Sequence, residues 1–274
     1  MPPDTSRGAG PRLLVVDGSN CVYRAFFAPF RELHSAEGTP TKAVYVFANM
    51  LLKVLREEAP DHVAVVFDAP GRTFRHEAYP DYKATRDTQP EDLSLQFPLV
   101  RELVEALRIP ILEVAGCEAD DVIATLVAQA PADAEVGIVS TDRDLMQLVG
   151  ERVTLLDGIG DRRFGPAEVE KRFGVPPEQV LDLRALVGDS SDNIPGVKGV
   201  GEKTAAQLIR EYGDLETLLA RSGEIQAKRP REALAAQADA IVALAGVEGL
   251  DAHGRSIDVR LGDVRRGGGE RSDA

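Results

Sequence analysis

The chain has 274 residues, of which 43% are hydrophobic and 28% are charged, and its formal net charge is -13 at pH 7. This balance is ordinary for a globular protein with a core, and no apolar run approaches the roughly 20 residues that span a bilayer. Two cysteines, Cys21 and Cys117, lack metal-ligand spacing, which argues against a disulfide framework and favours a reducing cytoplasm.

The first 156 residues alternate strand-like and helix-like patterns. Short apolar runs predict strands, and apolar residues at helical spacing predict helices. The predicted strands lie at 13–16, 63–67, 109–112 (a short edge strand), 136–139 and 153–156, and the predicted helices lie at 43–56, 97–107, 119–130 and 142–149. Strands that alternate with helices predict an α/β fold with a mostly parallel, doubly wound sheet and helices on both faces.

After Gly165 the strand signals stop. Helices are predicted at 166–173, 177–187, 202–212 and 231–248. We expect a disordered N-terminal tail at 1–11, an α/β domain at 12–164, a helical region at 165–250 and a polar C-terminal tail at 251–274, structureless from Gly262 onward.

Acidic residues follow the predicted strands. Asp17 and Asp68 come directly after the first two, and Asp142 and Asp144 follow the run at 136–139. Side chains at the carboxyl ends of parallel strands converge on one crevice of an open sheet. Glu118, Asp120 and Asp121 begin a helix that should border the same edge.

Each acid taken alone is explained as a turn residue or helix cap. As a set they would repel one another at neutral pH unless cations lie between them. Oxygen ligands without a Cys or His pattern favour Mg²⁺ or Mn²⁺, and two such ions can support phosphoryl displacement. A metal site would also account for much of the negative charge, which is otherwise unusual for a DNA-binding chain.

Two further segments could contact nucleic acid. The turn at 196–201 is rich in glycine and precedes a helix, an arrangement suited to binding phosphate; the alternative is an ordinary turn between helices. The loop at 72–86 places five basic residues among three aromatic ones, which could hold a phosphate and stack a base. A solvated loop explains the same composition equally well.

Five long segments carry a family resemblance. They are VVDGSN at 15–20, VVFDAPGRTFRHEAYPDYKATR at 65–86, GCEADDVIATL at 116–126, STDRDLMQLV at 140–149 and ALVGDSSDNIPGVKGVGEKTAAQL at 185–208. In these the chain resembles the 5′-nuclease (flap endonuclease-like) family, and within it the 5′→3′ exonuclease domains of bacterial DNA polymerases I. The similarity runs from about residue 12 to 220, and because the chain ends after this region it looks like a stand-alone exonuclease.

The resemblance implies a set of site residues. The family's acidic metal ligands fall on Asp17, Asp68, Glu118, Asp120, Asp121, Asp142, Asp144, Asp189 and Asp192. The segment at 69–96 corresponds to a helical arch for a single-stranded 5′ end, and the turn at 196–201 to a helix-hairpin-helix-like duplex clamp that can hold a K⁺ ion. The expected DNA contacts are Arg72, Arg75, Tyr82, Lys83, Arg86, Gly196, Lys198, Gly199, Gly201, Lys203 and Thr204.

The resulting hypothesis is a 5′→3′ exonuclease and flap endonuclease of replication and repair. Two or more Mg²⁺ ions, or Mn²⁺ in their place, would be held with Asp17 and Asp68 among the ligands, while Lys83 and Arg86 neutralise charge on the phosphoryl group. Expected partners are DNA 5′ ends, flaps or nicks, and also RNA primers, for a monomer at the bacterial nucleoid with no membrane association. Two alternatives stay open. One is a flap- or junction-binding protein without catalysis. The other is a phosphatase with an Asp nucleophile, which needs a second Asp two residues later; the Ser19 at that spacing from Asp17 disfavours it.

Overall fold

The computed structural model describes residues 10–250, apart from the side chains of Asp239 and Glu248, together with the backbone of residues 265–266. Its larger sheet contains β1 (Arg12–Asp17), β2 (His62–Val66), β3 (Ile111–Leu112), β4 (Glu135–Val139), β5 (Val153–Asp157) and β6 (Arg162–Phe164). The strand order is β3-β2-β1-β4-β5-β6, and the first five strands are parallel while β6 is antiparallel. The predicted mostly parallel α/β sheet is confirmed, with β3 at its edge.

Helices cover both faces of this sheet. In the first part of the chain they are α1 (Gly18–Phe26), α2 (Lys42–Glu58), α3 (Phe74–Ala78), α4 (Glu91–Ser94), α5 (Gln96–Ala106) and α6 (Ala119–Gln129). The short α1 was absent from the predictions. It begins at Asp17, whose side chain accepts the amide of Asn20 and so caps the helix. The predicted helix at 142–149 is a 3₁₀ helix at Asp144–Leu148.

The second part of the chain is mainly helical, as predicted. It contains α7 (Pro166–Phe173), a 3₁₀ turn (Pro177–Gln179), α8 (Val180–Val187), α9 (Glu202–Tyr212), α10 (Leu215–Ala220), a 3₁₀ turn (Ser222–Glu224) and α11 (Lys228–Glu248). The expectation that strands stop after Gly165 was wrong at a short hairpin, and again at the C-terminal β9 (Arg265–Arg266). β7 (Gly188–Asp189) and β8 (Ile194–Pro195) form a small antiparallel hairpin between α8 and α9, too short to leave a periodic pattern.

The polar C-terminal tail expected at 251–274 contributes one described element. Arg265 and Arg266 form β9, which pairs antiparallel with the start of β2. The expectation of a structureless segment from Gly262 onward is therefore wrong at these two residues. The rest of that tail, and residues 1–9 of the N-terminal tail, lie outside the described residues.

Alternating residues of the central strands divide the core between the two sheet faces. Leu14 and Val16 face α1, α2 and α5. Leu13 and Val15 face α6 and share one continuous cluster with the helices of the second part, down to Ile241 on α11. The helical region therefore packs directly on the sheet and shares its core. That packing places the β7–β8 hairpin near the carboxyl ends of the strands.

Candidate metal and nucleic-acid site

A cavity of about 820 Å³ lies at the carboxyl ends of the central strands. Five of the predicted acids line it, namely Asp17, Asp68, Glu118, Asp120 and Asp142. Lys83 and Arg86 of the arch segment line the same cavity. Parallel strands bring residues from distant parts of the sequence together here, as the strand pattern predicted.

Asp17 is the most buried acid of this cavity, with 3% of its surface exposed. Its Oδ2 accepts the hydroxyl of Ser140 at 2.7 Å and its Oδ1 accepts the amide of Asn20 at 3.0 Å. Burial, together with the smaller effect of the neighbouring carboxylates Asp68 and Asp142, raises the pKa of Asp17 to about 7, although those two hydrogen bonds lower it. A carboxylate in this position gains from a cation nearby.

The pKa of Asp120 is raised for the same reasons. Burial raises its pKa well above the ordinary value, and charge repulsion from the other acids adds to that shift. The repelling acids are Asp142, Asp17, Asp144 and Asp68, in decreasing order of effect. The cavity thus collects negative charge that nearby protein groups only partly neutralise.

A second acidic group adjoins the first. Asp144, Asp189 and Asp192 each offer an oxygen atom, and these atoms lie within 4.8 Å of one another. Asp144 comes from the 3₁₀ helix after β4, whereas Asp189 and Asp192 come from the β7–β8 hairpin. A donor set made of carboxylate oxygens fits hard divalent cations such as Mg²⁺ or Mn²⁺.

Arg184 and Ser140 are site residues that the sequence reasoning missed. Arg184 Nη2 lies 2.7 Å from Asp144 and 2.5 Å from Asp189. Burial alone would raise the pKa of Asp189, but its hydrogen bond from Ser191 and the charge of Arg184 bring it below the ordinary value. Ser140 could have been predicted as a site residue, because it directly follows β4 at the edge where the acids meet. For Arg184 the only indication in the sequence was its position one turn before the hairpin.

Lys83 and Arg86 point at carboxylates of both groups. Lys83 Nζ lies 2.6 Å from Glu118 and 3.9 Å from Asp192, and Arg86 lies 2.6 Å from Asp192. The Lys83 backbone is in the left-handed region, with φ of 57°, and its amide donates to the carbonyl of Asp192 at 2.9 Å. The arch segment is therefore fastened to the hairpin at the residue whose ammonium group faces the acids.

Two of the predicted site residues are buried away from the cavity. Asp121 is fully buried and binds Arg75 through both carboxylate oxygens, at 2.6 and 2.8 Å, so this predicted metal ligand lies in a structural ion pair. Arg75 is only 2% exposed and does not present its guanidinium to DNA. Both residues belong to the framework beneath the site.

Tyr82 is a third predicted site residue that is buried. It is 4% exposed, and its hydroxyl lies 2.9 Å from both Glu118 and Asp192. Burial raises the pKa of Tyr82, and the two carboxylates raise it further, so the hydroxyl stays protonated and can donate. Its ring is therefore turned into the protein, whereas Tyr23, which also lines the cavity, is 51% exposed.

The predicted duplex clamp is a surface next to α9. Lys198, Gly199, Gly201 and Lys203 are exposed, and Thr204 is half-buried. Gly199 has a φ of 85°, which favours glycine. Gly196 differs, because a Cβ there would lie 1.9 Å from the Val187 carbonyl oxygen, so close packing on α8 explains this glycine. Arg72, also predicted to contact DNA, is exposed and donates to the carbonyl of His76.

Two family models match consecutive parts of the chain. Residues 12–174 match the family model described as 5′-3′ exonuclease, N-terminal resolvase-like domain, and residues 175–265 match 5′-3′ exonuclease, C-terminal SAM fold. DNA polymerase I of Rhizobium leguminosarum is 47% identical over 84% of this chain, and that of Bacillus caldotenax is 49% identical over 81%. The chain spans 23% and 26% of those two proteins.

A shorter relative is covered more fully. The 5′-3′ exonuclease of Aquifex aeolicus is 43% identical over 80% of this chain and 76% of its own length. Among solved structures, bacteriophage T5 5′-exonuclease with bound zinc has a TM-score of 0.74 at 24% identity, covering 88% of this chain and 90% of that one. The catalytic core of Rad2 with a DNA substrate has a TM-score of 0.57 at 17% identity, covering 92% and 81%. At these identities both structures support the fold alone.

Proposed function

Because the chain belongs to the 5′-3′ exonuclease family, we propose that it hydrolyses DNA phosphodiesters near 5′ ends, as an exonuclease and as a flap endonuclease in replication and repair. The observation that carries the proposal is the cavity in which Asp17, Asp68, Glu118, Asp120 and Asp142 face Lys83 and Arg86. The phosphatase alternative is set aside by family membership.

The cavity fits divalent cations by its chemistry. Its donors are carboxylate oxygens, and burial and mutual repulsion raise the pKa values of Asp17 and Asp120. Bound cations would offset the cost of burying these charges and the repulsion between them. We take Asp17, Asp68, Asp120 and Asp142 as ligands of one site, and Asp144, Asp189 and Asp192 as ligands of a second. Bound Mg²⁺ would polarise the phosphodiester and favour ionisation of the attacking water.

The residues of the arch segment act on the substrate phosphate. Lys83 contacts Glu118 and Arg86 contacts Asp192, each at 2.6 Å. A phosphate entering the cavity would offer them new anionic oxygens, and their charges would offset the negative charge that grows on the phosphoryl group. The products are a 5′-phosphate and a 3′-hydroxyl.

The duplex would bind the exposed surface next to α9. Lys198 and Lys203 supply charge there, and free amides at the α9 N-terminus suit a phosphate. Such contacts hold the backbone without reading the bases. K⁺ is proposed as the ion of the 196–201 turn. Replacing K⁺ by Li⁺ at constant ionic strength should weaken duplex binding while leaving the rate at saturating DNA unchanged.

The bacterial relatives and the absence of a disulfide between Cys21 and Cys117 support a place of action in the bacterial cytoplasm, at the nucleoid. Within the described ranges, no helix has both the length and the apolar character to cross a membrane. The monomeric state and activity on RNA 5′ ends stay predictions.

The decisive experiment is cleavage of a 5′-labelled flap duplex with Mg²⁺, comparing wild type with Asp142→Asn. Asp133→Asn is a matched control, because Asp133 is exposed just before β4 whereas Asp142 follows its carboxyl end. Wild type and the control should cut near the flap junction, and Asp142→Asn should be at least about 100-fold slower. Flap binding without cutting by wild type, in Mg²⁺ and in Mn²⁺, would instead identify a non-catalytic flap- or junction-binding protein.

A further inference from the structure

The C-terminal turn of α11 contacts the base of the arch segment. Arg75 donates from Nε to the Val247 carbonyl at 2.8 Å and from Nη2 to the Gly249 carbonyl at 3.1 Å. Carbonyls at the end of a helix lack partners within it, and here a buried guanidinium supplies them. The same group binds both oxygens of Asp121. Arg75 therefore joins the arch segment, the first turn of α6 and the end of α11.

A small apolar cluster makes the same connection independently. Val247, Tyr82 and Ile194 are 3%, 4% and 4% exposed and form a cluster separate from the two main cores. Tyr82 belongs to the arch segment and Ile194 to the β7–β8 hairpin. The Val247 side chain thus packs between the arch segment and the hairpin that carries Asp189 and Asp192.

The residues held by this cluster lead directly to the charged groups of the cavity. Tyr82 precedes Lys83, and its hydroxyl lies between Glu118 and Asp192. The arch segment is also tied to the hairpin by two hydrogen bonds to backbone carbonyls, from the Lys83 amide to Asp192 at 2.9 Å and from the Asn193 side chain to Asp81 at 2.8 Å. Weaker packing at Val247 would loosen Tyr82 and with it the position of the Lys83 ammonium group.

At its C-terminal end α11 also meets the helix that precedes the hairpin. It packs against α8, and Gly249 lies close to the Leu181 side chain. The turn at Val247–Gly249 therefore contacts both parts of the chain: Leu181 and Ile194 in the helical region, and Arg75 and Tyr82 in the arch segment.

From these contacts we infer that the C-terminal turn of α11 orders the arch segment and positions Lys83 over the carboxylates, with Val247 and Arg75 as positioning residues. The effect on arch order stands on geometry alone. The expected effect on cleavage rests on the function proposed above.

The test compares full-length Val247→Ala with Val242→Ala, a matched control because Val242 lies on the same helix with 54% of its surface exposed. Hydrogen–deuterium exchange is followed at residues 79–86 without DNA or added metal, where the amides of Tyr82 and Lys83 donate to Tyr79 and Asp192. Exchange of these amides should rise about tenfold in Val247→Ala and stay at the wild-type rate in Val242→Ala. Unchanged exchange in Val247→Ala would overturn the inference.

Cleavage supplies the second readout. Val247→Ala should lower kcat about five- to tenfold with little change in KM, because DNA binding at the clamp is untouched. Arg75→Lys, which keeps the charge but cannot form the bidentate pair or both carbonyl hydrogen bonds, should raise exchange in the same segment. Faster exchange in a protein that never cleaves DNA would support the ordering role while refuting the proposed function. An equal fall in kcat for Val242→Ala would remove the specific role of the α11 terminus.

Discussion

Arg184 donates a hydrogen bond to Asp189 across 2.5 Å, and the same nitrogen lies 2.7 Å from Asp144. A guanidinium group thus stands between two carboxylates that come from different parts of the fold. Asp144 begins the 3₁₀ helix that follows β4, whereas Asp189 lies in β7 of the hairpin. The protein itself therefore supplies a cation where two acids would otherwise repel one another.

We expect Arg184→Met to destabilise the metal-free protein. Removal of the cation leaves Asp144 and Asp189 without its charge, at a cost of about 2–3 kcal/mol, or a fall in Tm of about 5–10 °C for a chain of this size. Added Mn²⁺ should raise Tm more in the variant than in wild type, because the metal replaces the missing charge. Thermal unfolding with and without Mn²⁺ measures both effects. Arg172→Met is the control, since Arg172 pairs with Glu202 at 3.7 Å outside the site, and an equal loss there would contradict the prediction.

Asp17 should make the metal-free protein less stable as pH rises. Its pKa is raised from 3.8 to about 7 by burial and by neighbouring acids. Between these values the unfolded chain has lost a proton that the folded chain retains, so unfolding becomes more favourable with increasing pH. The total loss, complete above about pH 7, amounts to about 4 kcal/mol, of which about 2.5 kcal/mol falls between pH 5 and pH 8. Urea unfolding in EDTA at pH 5 and pH 8 tests this.

The control for that experiment is Asp17→Asn, which cannot ionise and should show a flatter dependence of stability on pH. Divalent metal should also flatten the curve, because a bound cation favours the charged carboxylates. A slope in Asp17→Asn equal to that of wild type would assign the dependence to other acids.

Ser140→Ala should shift the pH profile of cleavage. The Ser140 hydroxyl donates to Asp17 at 2.7 Å and accepts the amide of Asp142 at 3.0 Å. Its removal takes away a hydrogen bond that lowers the pKa of Asp17, so ionisation and metal binding require higher pH. The acidic limb of the profile of kcat against pH should shift to higher pH by about half a pH unit to one pH unit. Ser94→Ala, an exposed hydroxyl that donates to the Pro90 carbonyl, should leave the profile unchanged.

Lys198→Ala and Lys203→Ala should weaken duplex binding without slowing cleavage at saturating DNA. Both lysines are exposed beside α9, and a lysine that no longer neutralises a phosphate should reduce the slope of log affinity against log salt by about 1. Binding of a non-cleaved duplex at several salt concentrations measures that slope. Lys228→Ala, whose ammonium group pairs with Glu232 on α11, is the control. A fall in kcat with an unchanged salt slope would place these lysines outside the clamp.

The sequence by itself determined the sheet and the edge at which the acids meet. Apolar runs such as Leu13–Val16 can be buried on both faces only as central parallel strands, and parallel strands end at a common edge. Asp17, Asp68 and Asp142 were therefore predictable as neighbours from their positions after strands. The fold, and the membership of the 5′-3′ exonuclease family, followed from long motifs that the comparisons bear out.

Only the tertiary structure decided which charged residues face the cavity and which lie beneath it. Arg75 and Lys83 belong to the same short segment, yet Arg75 is buried against Asp121 while Lys83 lines the cavity. Likewise Asp120 and Asp121 are adjacent but point into different surroundings, because successive residues of a helix lie about 100° apart around its axis. Their roles depend on what the distant end of α11 and the β7–β8 hairpin pack against, which local pattern cannot specify.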